Sequence, residues 1–428
     1  MGTEIQLTIA GVSLSYAKNH IGVDFGFLFQ DGDTARRKLD GINYEYYEDH
    51  PEEAADLDEF EEVFARPLSR VLPRLHLLGF TIETARAEYE AVIAEAQEID
   101  SYRTPPEEPN LLTFDEYCCL ACRYPLSTLN DGAEFDDDER AKGKLVSDED
   151  FQRLPWTENS NTFWSETSYF GAKVAILSAS SMLLVFALNP ANLSVDVVWE
   201  FGPLVHSGWE PRNLFQPGAR RNQKVLVATE GASDARIIKR ALDILRADVA
   251  DFFSFVDVDE RHHFWGTGNL VKFAEGLLRI DIHNKVLFVF DNDAEGVDAY
   301  KKLDALNLPP NMRSMLLPKL DEFRQFPALG PEGINITDIN GRAAAIECYL
   351  DLNLPNRPPA QVRWSNYKKD IDAWHGALEF KETYQRHFDK QPSEALREGP
   401  YETLKLLKLL DSLIAEAALL IPSVSEVI

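Results

Sequence analysis

The run V-L-V-A-T-E-G-A-S-D at residues 225–234 decides the reading of this chain, together with its counterpart V-L-F-V-F-D-N-D at residues 286–293. Each is a short apolar stretch that stops abruptly at carboxylates. Such a stretch has the length of a buried parallel strand and falls short of an ordinary helix, so the acids are expected at the carboxyl end of a sheet. Open α/β sheets bind their ligands at that end. Carboxylates gathered from two strand ends repel one another unless a cation lies between them, and hard oxygen donors suit Mg²⁺ or Mn²⁺. In D-N-D, Asp291 and Asp293 stand two positions apart, so an extended backbone sets both side chains on the same side.

Outward from these runs, residues 224–306 alternate in type. Strands are expected at 224–229, 252–256 and 285–290, helices at 234–246, 270–279 and 295–306, and a further short strand at 314–317. That rhythm implies a parallel sheet with helices on its faces. Beyond Pro327 a glycine-bearing loop leads to helices expected at 343–352, 367–384 and 401–420. Upstream, alternation about Gly11 predicts a hairpin over 4–16. A helical stretch over 58–97 follows, interrupted at Pro67, Pro73 and Gly79, then a short helix at 114–123 and a loop at 131–153. Three apolar runs over 169–202 read as an antiparallel meander. The polar stretch 216–222, with Pro217 and Gly218, reads as a linker. The fold class is therefore α/β, with a parallel sheet flanked by helices over 222–352. An α+β N-terminal domain (1–216) precedes it and a helical C-terminal extension (353–428) follows.

Composition bounds the function. The length of 428 residues exceeds one ordinary domain, and an apolar share of 45% supports real cores. No apolar run approaches the roughly eighteen residues of a membrane span, and the N-terminus lacks the basic start and apolar core of a signal peptide. A cytoplasmic protein with no membrane association is expected, and four cysteines agree with a reducing compartment. The net charge of −28 argues against simple electrostatic binding of nucleic acid. That charge is segregated, however. Dense acidic runs occupy 49–62 and 131–139, whereas 212–224 carries Arg212, Arg220, Arg221 and Lys224 and no acid. The acidic runs are read as solvated surface, or as a module that meets a basic partner or masks a catalytic groove.

Three segments together resemble a Toprim domain, the metal-binding fold of topoisomerases, primases and several nuclease groups. They are E-G-A-S-D at 230–234, G-T-G-N-L at 266–270 and F-D-N-D-A-E-G at 290–296. The resemblance spans 222–352. The first segment is most similar to Toprim nucleases of the overcoming-lysogenization-defect type. The stretches G-V-S-L-S-Y-A-K-N at 11–19 and F-G-F-L-F-Q-D-G-D at 25–33 resemble the domain that precedes HEPN or Toprim modules in bacterial conflict proteins. What the resemblance implies is a set of roles. Glu230 would bind metal or transfer a proton, Asp291 and Asp293 would hold Mg²⁺ or Mn²⁺, and Asp234 would cap a helix or join the metal cluster. A later acid and lysine of that nuclease group fall at Glu347 in I-E-C-Y-L and Lys381 in G-A-L-E-F-K, with Lys381 neutralising charge at the reacting phosphate.

The implied activity is a metal-dependent endonuclease that cleaves phosphodiester bonds, with DNA favoured, in antiphage defence or a toxin-like role. RNA, including transfer RNA, is the second substrate. A non-catalytic regulatory subunit of a defence complex is the reading from another class. No tyrosine-bearing strand-passage domain favours a topoisomerase, and no zinc or helicase module favours a primase. There is no P-loop, so a nucleotide requirement would come from a partner such as a separately encoded ATPase; a homo-oligomer stays open.

Several signals carry a plainer meaning. An isolated D-x-D is usually a turn or a solvated strand end. Asp257 and Asp259 in V-D-V-D are read as a polar strand end or a further acidic edge, and Gly266 and Gly268 as loop glycines or a close approach to the metal groove. Cys119 and Cys122, with Cys118 beside them, make one C-x-x-C without a second pair, more consistent with a helical core face than with zinc. Arg70 and His76 have the spacing of a HEPN ribonuclease motif, but Pro73 lies between them and a packed helical face is the better account.

Overall fold

The computed structural model describes residues 3–39, 60–101, 110–132, 138–155, 163–256, 266–280, 282–354, 357–368 and 373–421. It divides into two compact units, Met1–Ala219 and Arg220–Ile428. The acidic residues Asp257 and Asp259, and most of the acidic run 49–62, lie outside the described residues.

In the first unit, β1 (Glu4–Ile9) and β2 (Val12–Lys18) form the expected hairpin. Its two turn residues, Ala10 and Gly11, both have positive φ (47° and 76°), the twist that a tight hairpin requires. With β3 (Thr34–Arg37), β4 (Glu61–Pro67) and β5 (Asp196–Glu200) they build an antiparallel sheet of order β2-β1-β5-β4-β3. The start of the stretch expected to be helical is thus a strand. Neither face of β4 is left to solvent: Val63 packs with Leu39 and Val198, while Phe64 stacks on Phe29 at 5.7 Å. A strand covered on both faces loses its alternation, and its sequence then mimics a helix.

Helix α1 (Leu68–Leu77) runs through Pro73 instead of stopping there. The missing hydrogen bond is outweighed by burial of Leu68, Val71 and Leu75, each worth about 1.5–3 kcal/mol. Gly79, at φ 90°, closes it. Helices α2 (Ile82–Ser101) and α3 (Phe114–Arg123) follow, the latter with a Thr113/Glu116 capping box. Residues 138–155, expected as loop, form short helical turns that bury Leu145 and Phe151.

The expected meander over 169–202 is α4 (Glu166–Val174), α5 (Ala179–Phe186) and then β5. Every residue of α5 is buried. A short run that is apolar on all sides has no period to read, and here the Ser165 and Ser178 caps, which accept from Ser168 and Ser181 N–H, decide for helix. Among the described residues no single helix is long and apolar enough to cross a membrane.

The second unit follows the expected alternation closely. It runs β6 (Val225–Thr229), α6 (Ala232–Leu245), β7 (Phe253–Phe255), α7 (Thr267–Arg279), β8 (Lys285–Phe290), β9 (Asn292–Asp293), α8 (Ala294–Asp304) and β10 (Met312–Leu316). The order β10-β8-β6-β7 is parallel throughout. Val286, Phe288 and Phe290 of β8 are buried with Leu270, Ala274, Ala299 and Leu303 of the flanking helices.

Beyond β10 the chain departs from expectation. A second sheet, β12-β11-β14-β15, is made by β11 (Phe326–Gly330), β12 (Gly333–Thr337), β14 (Val362–Lys368) and β15 (Ala373–Leu378). The residues expected as a helix at 343–352 are β13 (Ala343–Ala344) and a single 3₁₀ turn, Ile346–Tyr349. The helix expected at 367–384 begins only at α9 (Lys381–Asp389), because β14 (Val362–Lys368) pairs antiparallel with β15 (Ala373–Leu378). A short helix Ser393–Arg397 and α10 (Leu404–Ala418) complete a helical C-terminal segment.

Candidate metal centre

Strands β6 and β8 are neighbours at the middle of the parallel sheet, and the chain leaves β6 for β7 on one side and returns to β8 on the other. This reversal opens a crevice at the carboxyl ends of the two strands. Glu230 and Asp291 follow those ends directly. They touch: the Asp291 N–H donates to Glu230 Oε1 at 3.0 Å.

The other expected acids are held around this pair by backbone N–H groups. Asp291 Oδ1 accepts from Ile346 N–H (3.0 Å), which ties β8 to the turn that carries Glu347. Asp293 caps α8, its Oδ1 accepting from Glu295 N–H (2.9 Å) and Gly296 N–H (2.7 Å). Asp234 reaches back to Gly231 N–H at the start of α6 (2.9 Å) and accepts from Ser233 Oγ (3.1 Å). Glu347, 3% exposed, accepts from Gln385 Nε2 of α9 at 2.7 Å. Lys381 opens α9, one turn before Gln385, so the two share a helix face. Phe380 ahead of it has φ 58°, a conformation that costs a non-glycine residue about 1–2 kcal/mol.

Electrostatics bind these groups into one cluster. Burial, then the Asp293 charge, pushes the Glu230 carboxyl up to about 8. Burial and then Glu347 push Asp234 up to about 7, against the Ser233 hydroxyl, the Gly231 N–H and Lys381. Asp291 is pushed well above the carboxylate range by burial and then by Asp234, Glu230, Asp293 and Glu347. Asp293 is raised by burial, while the Gly296 N–H and His375 pull it down. The fold therefore brings together Glu230, Asp234, Asp291, Asp293 and Glu347, with Lys381 in range of Asp234.

The donor set is one of hard oxygens, the kind that Mg²⁺ or Mn²⁺ takes. Among the described residues, Glu230, Asp291, Asp293 and Glu347 each keep one carboxylate oxygen that accepts no hydrogen bond; both Asp234 oxygens are engaged. Asp234 thus serves first to hold the Gly231 N–H at the start of α6. No three His, Cys, Asp or Glu side chains among the described residues already stand in a metal-ligand arrangement. The centre is an assembled cluster of acids and not a preformed cage.

Two glycines make this approach feasible. A Cβ on Gly296 would stand 2.1 Å from the Asp291 carbonyl oxygen and 2.9 Å from Glu230 Oε1. Gly266, at φ 89°, donates its N–H to the Glu230 carbonyl at 3.0 Å. Gly268 has open space where a Cβ would go and needs no glycine on that ground.

A model of the HEPN/Toprim N-terminal domain 1 family matches residues 1–223, more than half of the chain. The chain belongs to this family. The matched stretch ends close to the boundary between the two compact units. No curated protein and no solved structure matches the chain.

Within the HEPN/Toprim N-terminal domain, the HEPN-like pair does not form a site. Arg70 and His76 are both exposed on α1, and six helical positions turn them to different faces. The buried charged residue of that helix is Arg74, which donates to the Phe27 and Phe29 carbonyls at 2.8 and 3.1 Å. The cysteines of α3 are free thiols, and burial pushes Cys118 up to about 12 and Cys122 up to about 11, so both stay protonated and poor metal ligands.

Three contributors went unread in the sequence. Asn292, fully buried, donates to Asn340 Oδ1 (3.1 Å) and accepts from Gly341 N–H (2.8 Å), locking the D-N-D backbone to a distant loop. Gln385 orients Glu347. His375 of β15 lies within electrostatic reach of Asp293, with a buried Nδ1 that has no partner among the described residues. Only the i, i+4 spacing of Lys381 and Gln385 was visible locally; the other two act across long loops.

Proposed function

We propose that the second unit is a Toprim-type catalytic domain and that the protein is a divalent-metal-dependent nuclease, with DNA the favoured substrate, in a defence or toxin-like role. Family membership ties the chain to a nuclease-related or defence role. The observation that carries the finer reading is the carboxylate cluster at the β6–β8 switch point, whose members are raised first by burial and then by one another's charge, a combination that a cation would relieve.

In this reading Glu230, Asp291, Asp293 and Glu347 hold Mg²⁺ or Mn²⁺ through the oxygens that their backbone hydrogen bonds leave unused. The ion, when bound, supplies Lewis-acid polarisation of a phosphate and a bound water of lowered pKa. Without the ion Glu230 is pushed up to about 8, so it gives up its proton as the ion binds. Lys381 stands at the exposed end of α9 to neutralise charge that grows on the phosphate. Asp234 and Gln385 orient these groups. The acidity of the whole chain favours one second reading, in which the same site acts only once a partner protein supplies the binding surface for nucleic acid.

The test is to incubate purified protein with plasmid, single-stranded DNA and total RNA, each with Mg²⁺, Mn²⁺ or chelator. Metal-dependent cleavage that Glu230→Gln and Asp291→Asn abolish, with unchanged circular dichroism, is expected. Cleavage of RNA alone would move the substrate, and cleavage that survives Asp291→Asn would overturn the metal assignment. No cleavage of any substrate, with or without proteins encoded nearby, would overturn the enzyme reading.

A further inference from the structure

A groove of about 1060 Å³ lies between α6 and α9 in the second unit, larger than the usual small-molecule pocket. Arg236, Lys239 and Arg240 of α6 line it, and their i, i+3, i+4 spacing gathers three cations on one helix face. Asp243 and Asp389 offset them in part. In so acidic a chain this is a local exception.

The cations are lightly committed. Arg236 pairs with Asp389 at 3.3 Å, but their side chains are 52% and 32% exposed, so water competes for the pair. Among the described residues, the charge of Asp243 lies beside Lys239. The Arg240 guanidinium lies over the Phe388 ring at 5.5 Å and donates to the Gln391 carbonyl, while its buried Nε finds no acceptor among the described residues.

The groove adjoins two of the residues that hold the carboxylates. Ser233 lines it and donates to Asp234; Gln385 lines it and donates to Glu347. A ligand lying along the cations would therefore stand one side chain away from Asp234 and from Glu347. Such a ligand carries repeated negative charge and is longer than one phosphate group.

We propose that this groove binds the sugar-phosphate backbone of a polynucleotide strand beside the carboxylate cluster, with Arg236 and Lys239 on successive phosphates. The assignment rests on the nuclease reading of that cluster, yet it can be tested apart from it. Full-length protein in chelator is titrated against labelled single-stranded DNA, duplex DNA and single-stranded RNA over a range of salt. The double variant Arg236→Gln/Lys239→Gln should lose about tenfold or more in affinity and flatten the salt dependence by roughly one to two phosphate contacts. Mn²⁺ binding by calorimetry and the unfolding temperature should not move. If the double variant fails to fold, Lys239→Gln decides, with Lys239→Arg expected to restore binding.

Wild-type affinity in a folded variant overturns the proposal. So does a wild-type protein that binds no oligonucleotide, or binds a mononucleotide as tightly as a longer strand. Groove-dependent binding without any metal-dependent cleavage would sink the nuclease reading and leave the groove standing. Cleavage that Glu230→Gln abolishes, alongside a groove variant that binds normally, would do the reverse.

Discussion

At the level of single residues, the centre depends on what Gly296 leaves out as much as on the acids it adjoins. The place where its side chain would go is filled by the Asp291 carbonyl and Glu230 Oε1. Gly296→Ala is expected to cost about 1–3 kcal/mol and to separate the two strand ends. Thermal unfolding reads the first effect, and weaker Mn²⁺ binding in calorimetry reads the second. Glu230 makes a second prediction, through pH. Its folded pKa of about 8 lies above its ordinary value of 4.5, so the metal-free folded state is penalised as the group ionises. Stability should fall as pH rises from roughly 4.5 through 8 and then level off, by an amount on the order of a few kcal/mol. Glu230→Gln should remove part of that fall, the rest coming from Asp234, Asp291 and Asp293, and raise the unfolding temperature of metal-free protein at pH 8. A slope that is the same in both proteins would show that Glu230 is not the titrating group.

Secondary-structure elements were legible where local chemistry was self-sufficient. Helix α3 matches its expected range because Thr113 and Glu116 cap it reciprocally. Thr113→Ala should destabilise the first unit by about 1 kcal/mol in denaturant unfolding; Cys119→Ser, at an exposed position on the same helix, should leave it unchanged. The strands β6 and β8 and their following helices were equally readable, since a parallel strand between helices must be apolar throughout and must end where ligands bind. Elements whose identity depends on a distant partner were not readable. Strand β4 pairs with β5 across more than a hundred residues, and its buried Glu61 and Arg66 broke the alternation that would have announced it. Helix α5 is buried on every face, and β15 falls inside a stretch that reads as helix until its pairing with β14 is known.

For the molecule as a whole, the chain is two compact units joined close to residue 219. Arg221 is exposed in the short turn that follows. Limited trypsin should nick there first and yield two resistant fragments, resolved by mass spectrometry; cleavage scattered through either core would contradict the division. Mg²⁺ or Mn²⁺ should raise the unfolding temperature at pH 8 by binding the folded carboxylate cluster, worth about 2.7 kcal/mol at a hundredfold excess over Kd. Asp291→Asn should abolish most of that gain.

The amino-acid order alone determined the acidic strand ends, their alternation with helices, the glycine beside the acids and the family of the N-terminal unit. These are local patterns, read from burial period and from residues that permit only one backbone. Tertiary structure decided the rest. It set β6 next to β8 so that Glu230 meets Asp291, and it brought Glu347, Lys381 and His375 to them from within and around a second sheet that the sequence did not disclose. It also engaged both Asp234 oxygens at the start of their own helix, one with the Gly231 N–H and one with the Ser233 hydroxyl. Such roles follow from which distant group satisfies each buried charge, and charge satisfaction is a property of the folded arrangement, not of spacing along the chain.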